Sequence, residues 1–144
     1  MFWSQDWLWS LPLIVLTTVI QVIVLGYASR KGVQILQDRR REFKFRFSLI
    51  IGAITFLATL LLAIDSGLWA AAFVRLGASP DYRSAMLYSV SAITCYGHAN
   101  VFLAPRWELM GALEALNGII LFGLTTAFFF DVIQAVRPVE RRGR

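Results

Sequence analysis

Residues Ser91 to Asn100 read SAITCYGHAN, and this one stretch holds both the only cysteine of the chain, Cys95, and its only histidine, His98. Three chemistries are open to it. A thiolate and an imidazole are zinc-type ligands, an imidazole titrates near neutral pH, and a loop of carbonyls and hydroxyls can replace the hydration shell of a cation. One soft-ligand pair per chain completes a metal site only with the help of symmetry, and a lone cysteine more often behaves as a small hydrophobe. A metal site is therefore the weaker expectation, and no resident metal or other cofactor is expected. His98 is either a polar loop residue that hydrogen-bonds the neighbouring helix or, at an outer mouth, a group that would switch the local field from neutral to positive as it protonates, repelling cations. Three carboxylates, Asp65, Glu114 and Asp131, stand in apolar runs. Such groups are costly inside a membrane and are by default functional or paired.

The elements that must position these residues follow from composition. Of 144 residues 58% are hydrophobic and 16% charged, more apolar surface than a soluble domain of this length can hide. The chain reads as an integral membrane protein. Its formal charge of +5 is gathered into two clusters and not spread over a face, so membrane lipids are expected partners and nucleic acid is not. A single cysteine gives no internal disulfide, and Met1 to Ser10 lacks the basic start of a signal peptide.

Leu11 to Ala28 is uncharged for 18 residues, which at about 1.5 Å each nearly crosses a hydrocarbon layer of about 30 Å. Trp3, Trp7 and Trp9 before it suit the headgroup level. Phe47 to Ile64 is a second uncharged run, expected to continue as helix to Val74. Leu109 to Val136 is the third span, interrupted by Glu114, uncharged from there to Asp131, and closed by Arg137-Pro138. Tyr82 to Ile93 is only about 18 Å long as a helix and cannot span. Ser79-Pro80-Asp81 reads as its start, with Ser79 as N-cap. A short helix followed by irregular backbone at membrane depth needs protein or water around it, which predicts a re-entrant segment. Seven of the fourteen basic residues fall in Arg30 to Arg46 and four more in Arg137 to Arg144. Both clusters belong in the cytoplasm, which places the N-terminus outside and the C-terminus inside. The expected fold class is an all-α membrane protein, with three transmembrane helices and a re-entrant helix and loop between the second and third. Residues 1–46 would carry the first helix and a basic cytoplasmic loop, 47–137 the second helix, the re-entrant segment and the third helix, and 138–144 a basic tail.

LYSVSAITCYGH followed by PRWELMGALEALNGIILFGLTTAFFF resembles the pore helix, filter and inner helix of small bacterial ion channels in the tetrameric potassium-channel superfamily. The filter of that family usually reads Thr-Val-Gly-Tyr-Gly-Asp. The resemblance runs from Asp65 to Val136, and Trp107, Gly111, Glu114, Asn117, Gly118 and Phe122-Gly123 stand in family order. It implies a homotetramer in a bacterial inner membrane, passing cations such as potassium or sodium passively. Laying Tyr96-Gly97 on the family's Tyr-Gly makes Ile93, Thr94, Cys95, Tyr96, Gly97 and His98 the ion filter, with Cys95 at the first glycine. A Cβ in a left-handed conformation costs about 1–2 kcal/mol, taken once per subunit, so selectivity is expected to be weak or altered. The first span has no counterpart in a minimal two-span pore and would be a peripheral addition.

On this basis Glu114 and Asn117 would support the filter, and Gly118, Leu121, Thr125 and Asp131 would line or gate the pore. The plainer alternatives are an interhelical hydrogen bond for Glu114, close packing for Gly118 and Gly123, and snorkelling or pairing with Arg137 for Asp131. Asp65 would pair with Arg83 or Arg106. No nucleophile, metal motif or phosphate loop argues for an enzyme. Besides a cation channel, the sequence admits a non-conducting membrane scaffold or sensor, and a small proton-coupled transporter with Glu114 as carrier.

Overall fold

A computed structural model describes residues 3–38, 43–97 and 100–141. They form helices α1 (Trp3–Asp38), α2 (Phe43–Arg75), α3 (Tyr82–Ile93) and α4 (Glu108–Arg141), with a 3-10 turn, Pro105–Trp107, leading into α4. Among the described residues there is no strand. Within these helices, Ser4–Ile35, Phe47–Arg75 and Pro105–Gln134 are long and apolar enough to cross a membrane.

The helices outrun the greasy segments that announce them. Hydropathy ends at Ala28, but α1 continues through Arg30 and Lys31 to Asp38, since lysine, arginine, glutamine and leucine are all good helix formers. Much of the expected basic loop between Arg30 and Arg46 is thus helical. Similarly, α4 does not stop at Arg137-Pro138 but reaches Arg141. A proline so near a helix end forfeits few hydrogen bonds. The start of α3 is also shifted: its N-cap is Asp81 and not Ser79. The Asp81 carboxylate accepts hydrogen bonds from the Ser84 amide and hydroxyl, both at 2.8 Å, and these bonds hold it below the usual carboxylate range.

The side chains are arranged inside out. On α1 the buried positions include Asp6, Ser10, Thr17, Gln21 and Ser29, while Trp7, Leu8, Val15, Val19 and Ile23 are exposed. In water this would be upside down. In lipid, apolar side chains cost nothing on the outside, and polar ones serve as glue between helices. The buried polar set recurs at steps of four, seven, four and eight residues, which keep to one helix face.

That face meets α4, and the two helices run parallel, with Thr17 against Asn117, Gln21 against Leu121 and Thr125, and Gly26 against the ring of Phe128. α2 returns antiparallel to α1, with Gly32 beside Ile50. α3 descends alongside α4, its Tyr88, Ser89 and Ile93 meeting Gly111, Glu114 and Gly118 in turn. A Cβ on Gly118 would lie 2.0 Å from the Ile93 carbonyl oxygen, and one on Gly111 2.0 Å from the Tyr88 hydroxyl. Glycine at both positions is what lets α3 approach so closely. From the end of α3 the chain climbs back to the start of α4, pinned by the Ala104 amide on the Ala78 carbonyl at 2.9 Å. One apolar cluster, around Trp69, Phe73, Ile93, Trp107 and Met110, fixes α3 between α2 and α4. A second, with Leu25, Ile54 and Val132, joins the far ends of α1, α2 and α4.

Candidate functional site

The loop after α3 is shaped by how that helix ends. Thr94 is the C-cap (φ −85°, ψ −1°), and Cys95 follows in the left-handed region at φ 55°. The Cys95 amide donates to the Ala92 carbonyl and the Tyr96 amide to the Ser91 carbonyl, each at 2.9 Å. This crossed pair is a Schellman motif, whose left-handed position is normally glycine. Here it is a cysteine, at the steric cost anticipated for a Cβ there. Gly97 takes a second positive φ, 70°. The Thr94 hydroxyl donates to the Val90 carbonyl at 2.6 Å, and Cys95 Sγ lies 3.9 Å from the Ala115 carbonyl of α4.

Thr94, Cys95, Tyr96 and Gly97 are all exposed. Ile93 differs from the rest of the expected filter. It is the last residue of α3 and only 1% exposed, so its side chain belongs to the core. His98 lies outside the described residues, as does any Cys95–His98 pairing. Among the described residues no group of three potential metal ligands occurs.

Behind the loop, α2, α3 and α4 share a buried polar junction. The Ser89 hydroxyl donates to the Ser66 carbonyl at 2.8 Å and also contacts Glu114 Oε1. A hydroxyl has one proton, and a backbone carbonyl can only accept. For both contacts to be hydrogen bonds, Glu114 must supply the second proton as a neutral carboxyl group. The side chain is fully buried, at 0% exposure. Glu114 therefore braces α3 itself, and not the loop amides or the Tyr96 hydroxyl. Sequence reasoning missed Ser66 and Ser89, since serines in apolar helices announce no partner.

Asn117, expected to support the filter, faces α1. Its side-chain amide donates to the Thr17 hydroxyl at 2.9 Å. One turn on, the Gln21 amide donates to the Leu121 carbonyl and to the Thr125 hydroxyl, both at 2.8 Å, and the Thr125 hydroxyl donates to that same carbonyl at 2.8 Å. Asn117, Leu121 and Thr125 do share a face, as their spacing requires. That face is covered by α1 and does not border open space. α1 is thus no loose addition but the partner of α4's most polar stripe. Its own polar stripe, Thr17 and Gln21 at a four-residue step, was the overlooked signal.

Gly118 packs on α3, whereas nothing lies within 4 Å of a Cβ built on Gly123. Asp131 is exposed and borders a groove with Arg30 at the far end of α1. Asp65 is buried with neither carboxylate oxygen hydrogen-bonded, and it meets neither expected arginine. The Arg106 guanidinium donates instead to the Leu76 carbonyl at 3.1 Å and lies over the Trp107 ring. Set against protein-family models, curated proteins and solved structures, the chain matches none.

Proposed function

We propose that the chain is one subunit of a tetrameric pore-loop cation channel in a bacterial inner membrane. In this reading α3 is the pore helix, the loop after it lines the conducting path and α4 is the inner helix. One observation carries the proposal: α3 ends against Gly118, ten residues into α4 or roughly 15 Å along it, in a loop exposed from Thr94 to Gly97. A helix ending at such a depth aims its negative end at the membrane centre, where it favours a cation. The parallel course of α1 and α4 also supports the orientation, because it brings Arg30, Lys31 and the C-terminal end of α4 to one side.

The burial of Ile93 inside α3 moves the proposed filter two residues along the chain. Cys95, Tyr96, Gly97, His98, Ala99 and Asn100 then lie on the family's Thr-Val-Gly-Tyr-Gly-Asp. Gly97, with its positive φ, falls on the first glycine, and His98 on the tyrosine. Ala99 in place of the second glycine, and Asn100 in place of aspartate, become the departures that weaken selectivity.

A specific feature favours a second reading, a non-conducting scaffold. The Schellman closure uses the Ser91 and Ala92 carbonyls internally, leaving fewer carbonyls at the end of α3 for an ion. Passive flux into liposomes holding the purified full-length protein, comparing potassium with sodium at about pH 6 and about pH 8, separates the two. Flux with little discrimination is expected, and a rise at the higher pH implicates His98. No flux of either ion from a correctly assembled oligomer establishes the scaffold. The register has its own test: Ala99→Gly with Asn100→Asp is expected to raise potassium preference, whereas Cys95→Gly with His98→Asp is not.

A further inference from the structure

At the end of the α1–α4 pair remote from the loop, the two helices part around an open groove of about 760 Å³, within the size range of small-molecule sites. Its walls change character along its length. Val22, Gly26 and Phe128 make one end apolar, and Arg30, Gln34 and Asp131 make the other polar. A Cβ built on Gly26 would lie 3.6 Å from the Phe128 ring, an ordinary contact distance. Arg30 lies 21 residues beyond Trp9, a rise of about 31 Å. If Trp9 marks one headgroup layer, as its type suggests, the charged end of the groove lies at the other, because the hydrocarbon layer between is about 30 Å thick.

Arg30 and Asp131 border this groove together, yet among the described residues no ion pair joins them. A groove that is apolar toward the membrane and carries one separate charge of each sign at headgroup depth matches a particular chemistry. We propose that it binds a membrane phospholipid whose headgroup carries both a phosphate and a primary ammonium, that is, phosphatidylethanolamine. The Arg30 guanidinium takes the phosphate in its planar fork of donors. The Asp131 carboxylate accepts from the ammonium, which offers three N–H donors. One acyl chain lies along Val22, Gly26 and Phe128. Phosphatidylglycerol presents no cation to Asp131, and the trimethylammonium of phosphatidylcholine has no N–H to donate. This site requires only that the chain lie in a membrane and is independent of whether it conducts.

Native mass spectrometry of the delipidated full-length protein, offered equal amounts of dioleoyl phosphatidylethanolamine, phosphatidylcholine and phosphatidylglycerol, tests the assignment. Retention of phosphatidylethanolamine over phosphatidylglycerol by about threefold to fivefold is expected, the size of one partly exposed charge pair. Arg30→Gln should lower retention of all three lipids, and Arg30→Lys should preserve most of it. Asp131→Asn should erase the preference for phosphatidylethanolamine while raising phosphatidylglycerol. Circular dichroism of each variant confirms that its helices are intact. Equal retention of the three lipids by the unaltered protein overturns the proposal, as does a preference that survives Asp131→Asn. Retention that follows oligomeric state and ignores both substitutions assigns the groove to a second copy of the chain and also overturns it.

Discussion

Counting protons at Ser89 gives a prediction that can fail cleanly. If Glu114 is the neutral donor to Ser89, and Ser89 in turn donates to the Ser66 carbonyl, then removing the hydroxyl with Ser89→Ala strands a buried carboxyl proton. Data from soluble proteins put the cost of stranding such a group at about 1–3 kcal/mol. Interhelical hydrogen bonds in membrane proteins average nearer 0.6 kcal/mol, with a maximum of about 1.7, because the unfolded chain in lipid also finds partners. At 0% exposure the upper part of the membrane range applies, so Ser89→Ala should cost about 1–1.7 kcal/mol. That is roughly a tenfold shift in the unfolding equilibrium, measurable by denaturation in detergent micelles. Glu114→Gln retains a donor of nearly the same shape and should cost under about 0.5 kcal/mol, whereas Glu114→Ala loses both bond and volume and should cost about 2 kcal/mol or more. Infrared difference spectroscopy reports the proton directly. Because Asp65 is a second buried carboxyl group without a partner, the test is one component of the protonated-carboxyl stretch, which should be lost in Glu114→Gln and should shift in Ser89→Ala. An ionised-carboxylate band in its place, or a Gln variant as damaged as the Ala variant, refutes the proton count.

Three further predictions test other parts of the structure. Gly118→Ala sets a Cβ against the Ile93 backbone, which cannot swing aside, and should cost about 3 kcal/mol in detergent unfolding; Gly123→Ala meets nothing within 4 Å and should be neutral or gain up to about 1 kcal/mol from helix propensity. Gln21→Leu removes the two bonds to α4 and should lower stability by about 0.6–1.7 kcal/mol, with cysteine cross-linking between α1 and α4 falling in parallel. Finally, Asp81 is held below the usual carboxylate range, so its cap on α3 contributes fully above about pH 4 and is lost as the pH falls through its own lower pKa; dichroism melts should show that acid loss in the parent chain and not in Asp81→Asn.

Sequence reading succeeded where the physics is one-dimensional. Uninterrupted apolar runs identify helices long enough to span, and α3 was expected over the very residues it occupies because its turn signals and its loop are local. It overshot at Ser79, since a cap is decided by which side chain reaches the third amide, and Asp81 reaches Ser84. It fell short at Ala28 and Arg137 because hydropathy reports the lipid contact, whereas helical hydrogen bonding continues into the interface. The polar junctions were illegible for a different reason. Whether Asn117 meets a loop or Thr17 depends on the rotation of one helix about its axis and on which neighbour stands there, and neither is written in a single helix's pattern. Glu114 was noticed because a carboxylate in a membrane is expensive, but Ser89, which determines its state, has no such cost to betray it.

The seat of α1 on α4 constrains the channel proposal. Asn117, Leu121 and Thr125 are taken by Thr17 and Gln21, so a pore built around α4 has to use another face. Leu116, Ile120, Gly123 and Ala127 recur at three- and four-residue steps and remain exposed in the single chain. Between Leu116 and Ala127 such a wall would offer an ion no polar side chain. A cation in the proposed cavity would keep its own water, and a narrow point in that apolar wall would gate by losing water, as hydrophobic constrictions do. Discrimination between ions would then rest on the loop alone, where Cys95 and Gly97 already hold left-handed backbone and the Thr94 hydroxyl, having given its proton to the Val90 carbonyl, retains lone pairs for a cation. The selectivity of the proposed pore should therefore respond to substitutions at Thr94 and Ala99 and be indifferent to Thr125.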